Sequence, residues 1–296
     1  MSASRSALPD PDWLVPDWPA PPGVHALCTT RAGGVSAPPF DSLNLGNHVG
    51  DDPTAVRTNR QRLQSALVGA GSSVRPVFLS QVHADGVVHL AQNAPDGTEA
   101  DACVATEPGV ACTIMVADCL PVLFAHHSGR VVGAAHAGWR GLAGAQGRGV
   151  LEAAFDSFQA LALDTQAQKA IKSGANHRQE EAARHAVAQD TVVWLGPCIG
   201  PQAFEVGAEV RDAFCGADPA AASCFAPHEH VAGKFLCDLA GLARRRLGAM
   251  GITQVHGNDS TQPWCTATNG SRFFSHRRDA STLGGSGRFA ACVWIG

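Results

Sequence analysis

Along the chain, apolar residues fall mostly in short runs rich in Val, Ile, Leu and Phe, punctuated by Gly, Pro and Asp; helical spacing is less frequent. Residues 24–30 form the first run, which predicts a strand leading into the Arg31-Ala32-Gly33-Gly34 turn. Val56, Leu63 and Leu67 share one face of a polar stretch, with Asp52 or Thr54 where an N-cap belongs. A helix is therefore expected over 51–70. Further strands are predicted over 76–82, 86–91, 102–105, 110–116, 120–125 and 131–135. A helix is predicted over 142–163, with Gly144, Gly147 and Gly149 weakening its first turns and implying close backbone approach there.

Residues 164–190 are polar, rich in Ala and Gln and poor in large apolar side chains, which predicts an exposed insertion. After it the pattern predicts a strand over 191–195, helices over 207–214 and 234–250, and strands over 252–255, 272–275 and 289–295. In the 234–250 helix Phe235, Leu239, Leu242 and Leu247 make the apolar stripe. Arg244, Arg245 and Arg246 then face outward or toward a substrate anion. Strands come in runs, without strict alternation with helices, so the fold class read from the chain is α+β. Residues 1–23 read as an irregular N-terminal arm and 24–296 as one catalytic domain with a mixed β-sheet core.

At 296 residues and 45% hydrophobic content the chain can bury a full-sized core. Its formal charge of −4, with no sizeable basic cluster beyond 244–246, argues against nucleic acid and for a small-molecule substrate. Residues 1–23 lack the basic and apolar regions of a signal peptide, and no apolar run approaches the roughly 20 residues of a membrane helix. These features predict a soluble cytoplasmic protein with no membrane partner, a monomer or weak homo-oligomer. The ten cysteines form no CxxC pair, so Cys28, Cys103, Cys112, Cys215, Cys224, Cys237, Cys265 and Cys292 are expected to be small core hydrophobes.

Three segments place a metal-type side chain at a strand end beside turn residues: Gln81-Val82-His83, Ala117-Asp118-Cys119-Leu120-Pro121 and Ala135-His136-Ala137-Gly138-Trp139-Arg140. Thiolate and imidazole suit zinc, and three protein ligands leave a fourth position open, the mark of a catalytic site. Spacing alone matches no compact zinc motif, and taken singly a His after an apolar strand is more often a hydrogen-bonded core histidine and a Cys there more often packing. The histidine pairs His126-His127 and His228-Glu229-His230 invite a copper reading, but a multicopper oxidase needs more paired histidines than these.

The same three strings occur with Ser42-Leu43-Asn44-Leu45-Gly46, residues 195–201 (LGPCIGP), 204–207 (FEVG) and 274–279 (FSHRRD). In that order they resemble the family long labelled laccase-domain or multicopper polyphenol oxidase. That family has been reassigned as purine nucleoside phosphorylase and includes the bacterial peptidoglycan editing factor. The resemblance runs from about residue 24 to the C-terminus. It implies a single α+β domain similar to a cysteine-hydrolase toxin fold, with zinc held by His83, Cys119 and His136, which are also the catalytic candidates. The activities it implies are phosphorolysis of adenosine, inosine and methylthioadenosine, and deamination of adenosine. Purine nucleosides and phosphate would be the partners.

Phosphate points to arginines, and Arg140, Arg277 and Arg278 are the candidates to bind it bidentately. Asn44 is a candidate for a ribose hydroxyl or purine edge, or equally for local backbone bonding. Asp118 is read either as orienting a ligand or as turn chemistry. The alternatives are a Cys-His amide hydrolase with Cys119 as nucleophile and His136 as base, a peptidoglycan-editing role, or a copper polyphenol oxidase. The chain departs from the family pattern at Ala84, where Gly is usual, in the longer stretch before residue 191, and in the loop 280–287.

Overall fold

Residues 110–116, 120–126 and 132–137 are apolar or small at nearly every position, the signature of strands covered on both faces. In the computed structural model, which describes residues 10–67, 73–167 and 177–296, all three are strands and all are buried. They are β5 (Val110–Val116), β6 (Leu120–His126) and β7 (Val132–Ala137). Ahead of them come β1 (Val24–Cys28), α1 (Pro53–Leu67), β2 (Arg75–Phe78), β3 (Val87–His89) and β4 (Ala102–Ala105). After them come α2 (Trp139–Ala143), α3 (Val150–Ala167), α4 (His177–Gln189), β8 (Thr191–Leu195), β9 (Glu205–Gly207) and α5 (Ala208–Cys215). The chain closes with β10 (Phe225–Pro227), β11 (Lys234–Cys237), α6 (Leu239–Ala249), β12 (Gln254–Gly257), α7 (His276–Leu283) and β13 (Phe289–Ile295).

Two mixed sheets stack. One has four strands in the order β1-β13-β5-β2, the other six in the order β12-β8-β6-β7-β4-β3. Strand alternation sorts the side chains into layers. Cys112, Ile114 and Val116 of β5 meet Leu123 and Ala125 of β6 and Ala134 of β7 between the sheets. Ala111 and Met115 turn instead to α1, against Leu63 and Leu67. Val122 and Phe124 turn to the far side, where Leu151, Phe155 and Phe158 of α3 and Leu242 and Leu247 of α6 cover them. The layering is helix, sheet, sheet, helix, and the fold class is α+β as the pattern implied. A small third sheet, β10-β11-β9, stands beside it.

Several boundaries differ from the sequence-based expectation. The 142–163 helix is two helices, because Gly144 ends α2 at φ 61° and a tight turn follows. A Cβ on Gly149 would overlap the Gly141 carbonyl. The 234–250 helix begins as a strand: 234–237 pairs with both β9 and β10, and Asp238 caps α6 by accepting the Gly241 N–H at 2.8 Å. Its arginines do not face a substrate anion. Arg244 donates to the Val255 and Asn258 carbonyls, Arg245 pairs with Asp218, and Arg246 grips Glu152.

Residues 272–275 are no strand but the approach to α7, whose N-cap Ser275 accepts the Arg278 N–H. That helix has no apolar stripe, and only Asp279 of it is buried, so periodicity gave no sign of it. The expected insertion over 164–190 contains the end of α3 and all of α4. Val187 and Ala188 are buried and Gln159 of α3 donates to the Arg184 carbonyl, so its second half is docked; residues 168–176 lie outside the described residues. In the arm, Trp13 is buried and Leu14 bridges to Cys28. No helix among the described residues is long and apolar enough to cross a membrane.

The Arg246–Glu152 pair joins α6 to α3 with two short bonds, 2.7 and 2.8 Å, and both side chains are 12% exposed. Glu152 also accepts the Gly149 N–H at 2.8 Å. Removing the carboxylate strands a buried guanidinium, so Glu152→Ala is expected to cost about 3–5 kcal/mol in urea unfolding. A loss under about 1 kcal/mol would show that the pair does not tie the helices together.

Candidate functional site

Pairing within the six-stranded sheet brings three side chains to one end of it. In the β6–β7 register Leu120 lies opposite Ala137 and Pro121 opposite His136, so Cys119, just before β6, stands beside the end of β7. Ala102 of β4 pairs with Ala135 of β7, which sets Asp101 next to His136 on the other side. His83 arrives from elsewhere, in the loop between β2 of the four-stranded sheet and β3 of the six-stranded one. Gln81 fastens the start of that loop to β5, donating to the Met115 carbonyl at 2.8 Å and accepting its N–H at 2.9 Å.

Asp101 fastens the rest. Its carboxylate, fully buried, accepts the backbone N–H of Val82 at 3.1 Å, His83 at 2.9 Å and Ala84 at 2.8 Å, and the ring Nδ1–H of His136 at 2.7 Å. Burial alone would raise its pKa, but these hydrogen bonds to the charged form, that of His136 foremost, bring it below the usual value. With Nδ1 engaged, His136 presents Nε2 to the site. His83 itself takes φ 64°, an uncommon backbone angle for a side chain with a Cβ. Ala84 does not share that angle, so the methyl group at this position meets no backbone strain.

The ligand atoms of His83, Cys119 and His136 all lie within 4.8 Å of one another, with Cys119 Sγ 3.6 Å from His83 Nε2. The two imidazoles meet edge to face, their centroids 4.7 Å apart. Two borderline nitrogen donors and one thiolate form a set that could hold a metal ion, and the local backbone is shaped to leave it room. A Cβ on Gly138 would stand 2.7 Å from His83 Cδ2 and 3.0 Å from Cys119 Sγ. Burial pushes the Cys119 thiol up, yet the charge and hydrogen bond of His136, and those of His83, outweigh it and hold it near pKa 6. Burial likewise pulls His136 down, while the Cys119 thiolate and Asp101 raise it to about 9. Between those values the metal-free pair is thiolate and imidazolium.

The three residues open into a cavity of about 430 Å³. Apolar side chains, among them Met115, Ile199, Phe204 and Leu239, share its wall with Arg140, Arg277 and Arg288. Of the expected phosphate ligands, Arg140 lines the cavity with its guanidinium over the Trp139 ring at 4.5 Å. Arg277 also lines it, with one donor on the Glu205 carbonyl. Arg278 does not: its donors go to Asp279 and to the carbonyls of Thr266, Ala267 and Phe273. Asn44 does not either. It is fully buried, and both ends of its amide are engaged by Gly46, Asp51 and the Arg288 N–H. Its bonds to Gly46 are the local backbone bonding of one reading, and its bond to the Arg288 N–H reaches across the chain.

Asp118 holds no ligand. Its oxygens accept the Thr266 hydroxyl and the Arg277 N–H, each at 2.6 Å, tying the start of α7 to the turn before Cys119. Sequence reasoning gave no role to Gln81 or His276, though both stand in the quoted strings, and did not single out Asp101 or His48; a single acid directly preceding an apolar strand was the one available sign of Asp101.

This arrangement can be set beside known proteins. The family model described as multi-copper polyphenol oxidoreductase laccase matches residues 25–175 and 168–296. The chain belongs to this family. A relative in Pseudomonas aeruginosa named purine nucleoside phosphorylase is 48% identical across 96% of this chain and 98% of its own. The purine nucleoside phosphorylase YfiH of Escherichia coli is 42% identical across 95% and 98%. Among solved structures, the Neisseria meningitidis protein NMB0706, described by the family label DUF152, superposes with a TM-score of 0.73 at 40% identity, covering 96% of this chain and 99% of that one. YlmD of Geobacillus stearothermophilus gives 0.71 at 29% identity, covering 100% and 98%.

In metal-free protein, iodoacetamide alkylation of Cys119, followed by peptide mass, should rise with a midpoint near pH 6; an ordinary thiol titrates at about 8.5. The sign follows from a lowered thiol pKa: the reactive thiolate appears at more acidic pH. In His136→Gln the midpoint should move upward. A wild-type midpoint at or above pH 8 would contradict the thiolate–imidazolium pair.

Proposed function

We propose that this chain is a zinc-dependent purine nucleoside phosphorylase acting on adenosine, inosine and methylthioadenosine, with adenosine deamination as a second reaction. The reading is carried by one observation: a His-Cys-His set at the wall of a cavity whose other lining is mainly apolar and cationic. The names of its relatives support it. Among the described residues His83, Cys119 and His136 are the one convergent group of three or more metal-ligating side chains. A single-metal site suits that set better than the several coppers of a polyphenol oxidase, and one thiolate with two imidazoles suits zinc.

His83, Cys119 and His136 would hold the zinc, which supplies Lewis acidity toward an oxygen or nitrogen of the substrate when bound. The apolar wall takes the purine and excludes water. Arg140 and Arg277 face the phosphate, and planar guanidiniums match its oxygens two at a time. In phosphorolysis a phosphate oxygen bonds to C1′ of the ribose as the C1′–N9 bond breaks and its electron pair leaves with the purine. Positive charge develops at C1′, and the bound phosphate dianion lies against it. Asp118, by fixing the Arg277 backbone, keeps that guanidinium at the mouth.

A second reading has its own observation. Cys119, His136 and Asp101 stand in the order nucleophile, base and orienting acid, with the 2.7 Å His136–Asp101 bond completing the series. Without metal this is a cysteine hydrolase for an amide, such as a peptidoglycan stem peptide. Chelation separates the two, abolishing the first activity and sparing or raising the second.

The decisive assay incubates the zinc-assayed protein with adenosine in phosphate buffer and resolves adenine from inosine by chromatography. Wild type is expected to carry about one zinc and to form adenine in proportion to phosphate. Cys119→Ala should lose the metal and at least ~100-fold in kcat/KM. Zinc-loaded protein that forms neither adenine nor inosine from adenosine, and no product from any other purine nucleoside, would overturn the reading.

A further inference from the structure

The Ser42-Leu43-Asn44-Leu45-Gly46 string puts none of its side chains into the cavity, yet it is built around a residue that does line it. Asn44 Oδ1 accepts the Arg288 N–H at 2.9 Å, and the Leu45 N–H donates to the Arg288 carbonyl at 2.9 Å. Gly46 leaves room for the Arg288 side chain: a Cβ there would stand 2.9 Å from Arg288 Cγ and 3.3 Å from its Cβ. Asn44 is in turn held by Asp51, and its carbonyl by the side chain of buried Asn59. The segment fixes the position of Arg288 at its backbone and at the root of its side chain.

Arg288 lies deeper than the other cavity arginines; Arg140 and Arg277 are exposed at the rim, whereas Arg288 is half-buried. Its Nη1 donates to the Ser286 and Gly287 carbonyls, and among the described residues no carboxylate is within ion-pair distance. The sole acid lining the cavity is Asp118, and both its oxygens are engaged elsewhere. Burial accordingly draws the Arg288 guanidinium below the usual arginine value, with Cys119 and Asp118 only partly opposing. His48 lines the same cavity and is pulled down by burial, then by Arg288 and Arg60. A half-buried cation without a counter-ion, facing a cavity, is stabilised by any anion that enters.

We propose that Arg288, seated by residues 42–46 and assisted by His48, is the contact residue of an oxyanion subsite of the phosphate class, with Arg140 and Arg277 guiding the anion in from the rim. The identity of the anion as a phosphorolysis co-substrate rests on the proposed function; the existence of the subsite does not.

The test is binding of inorganic phosphate to the full chain at constant ionic strength, read as a saturable rise in melting temperature and by calorimetry. Sulfate and acetate serve as the other arms. Wild type should bind phosphate and sulfate, and acetate at least tenfold more weakly. Arg288→Gln should weaken phosphate at least tenfold, Arg288→Lys should retain part of the affinity, and Gly46→Ala, which keeps the cation but displaces it, should fall with Arg288→Gln. In turnover the same variants should raise the KM for phosphate and leave the KM for nucleoside unchanged, a split that general destabilisation does not produce.

Phosphate binding by Arg288→Gln equal to wild type, or no saturable binding by wild type, overturns the proposal; equal acetate binding overturns the phosphate assignment. Should Arg288→Gln fail to fold, Gly46→Ala decides in its place. Nucleoside turnover plays no part in the binding arm, so failure of the purine reading and failure of the subsite are told apart.

Discussion

Four hydrogen bonds converge on the carboxylate of Asp101, three from the backbone of residues 82–84 and one from the His136 ring. Each would be modest alone, but together with β4–β7 pairing and the backbone bonds of Gly86 they lock the 82–84 loop against the end of β7. The 82–84 loop descends from the four-stranded sheet, whereas His136 closes a strand of the six-stranded one. A buried carboxylate short of donors would be costly, and only with both partners present is this one fully satisfied. The same contact sets the His83 backbone at its positive φ and selects which His136 nitrogen faces the cavity. Cys119 then needs no further support, because strand pairing already places it beside His136.

Around that anchor the site is shaped as much by missing atoms as by those present. Gly138 leaves space for the His83 ring and the Cys119 sulfur, and Gly141 lets α2 approach the Ala84 carbonyl. Gly46 plays the corresponding part for Arg288. Two clusters of hydrogen bonds, one centred on Asp101 and one on Asn44, hold the metal-type ligands and the cationic wall in fixed relation.

Much of this was legible in the chain. The apolar runs of 110–116, 120–126 and 132–137 gave the central strands because burial on both faces leaves them little choice of residue. Helix α7 was not legible, since its stability comes from the Ser275 cap and from buried Asp279 rather than from an apolar face. The 234–250 segment misled because its apolar residues suit helical spacing, while pairing with β9 and β10 claims the first four. His83, Cys119 and His136 were found through the strings around them, their spacing being set by sheet topology. Asp101 was not found, because three of its four partners are backbone groups, which leave no imprint on sequence, and the fourth, His136, lies 35 residues away. Asn44 admitted two readings; the structure places it fully buried, with its amide bonded to Gly46, Asp51 and Arg288.

The central claim is that Asp101 orients the metal ligands without touching the cavity. Its most direct test is zinc affinity by competition with a chromophoric chelator, wild type against Asp101→Asn, with circular dichroism as the check on folding. Asparagine keeps the size but turns one acceptor oxygen into a donor NH₂ and removes the charge. The account predicts a folded protein whose zinc affinity falls roughly 10–100-fold. Wild-type affinity in a folded Asp101→Asn protein would contradict it, and would mean that sheet pairing alone positions His83, Cys119 and His136.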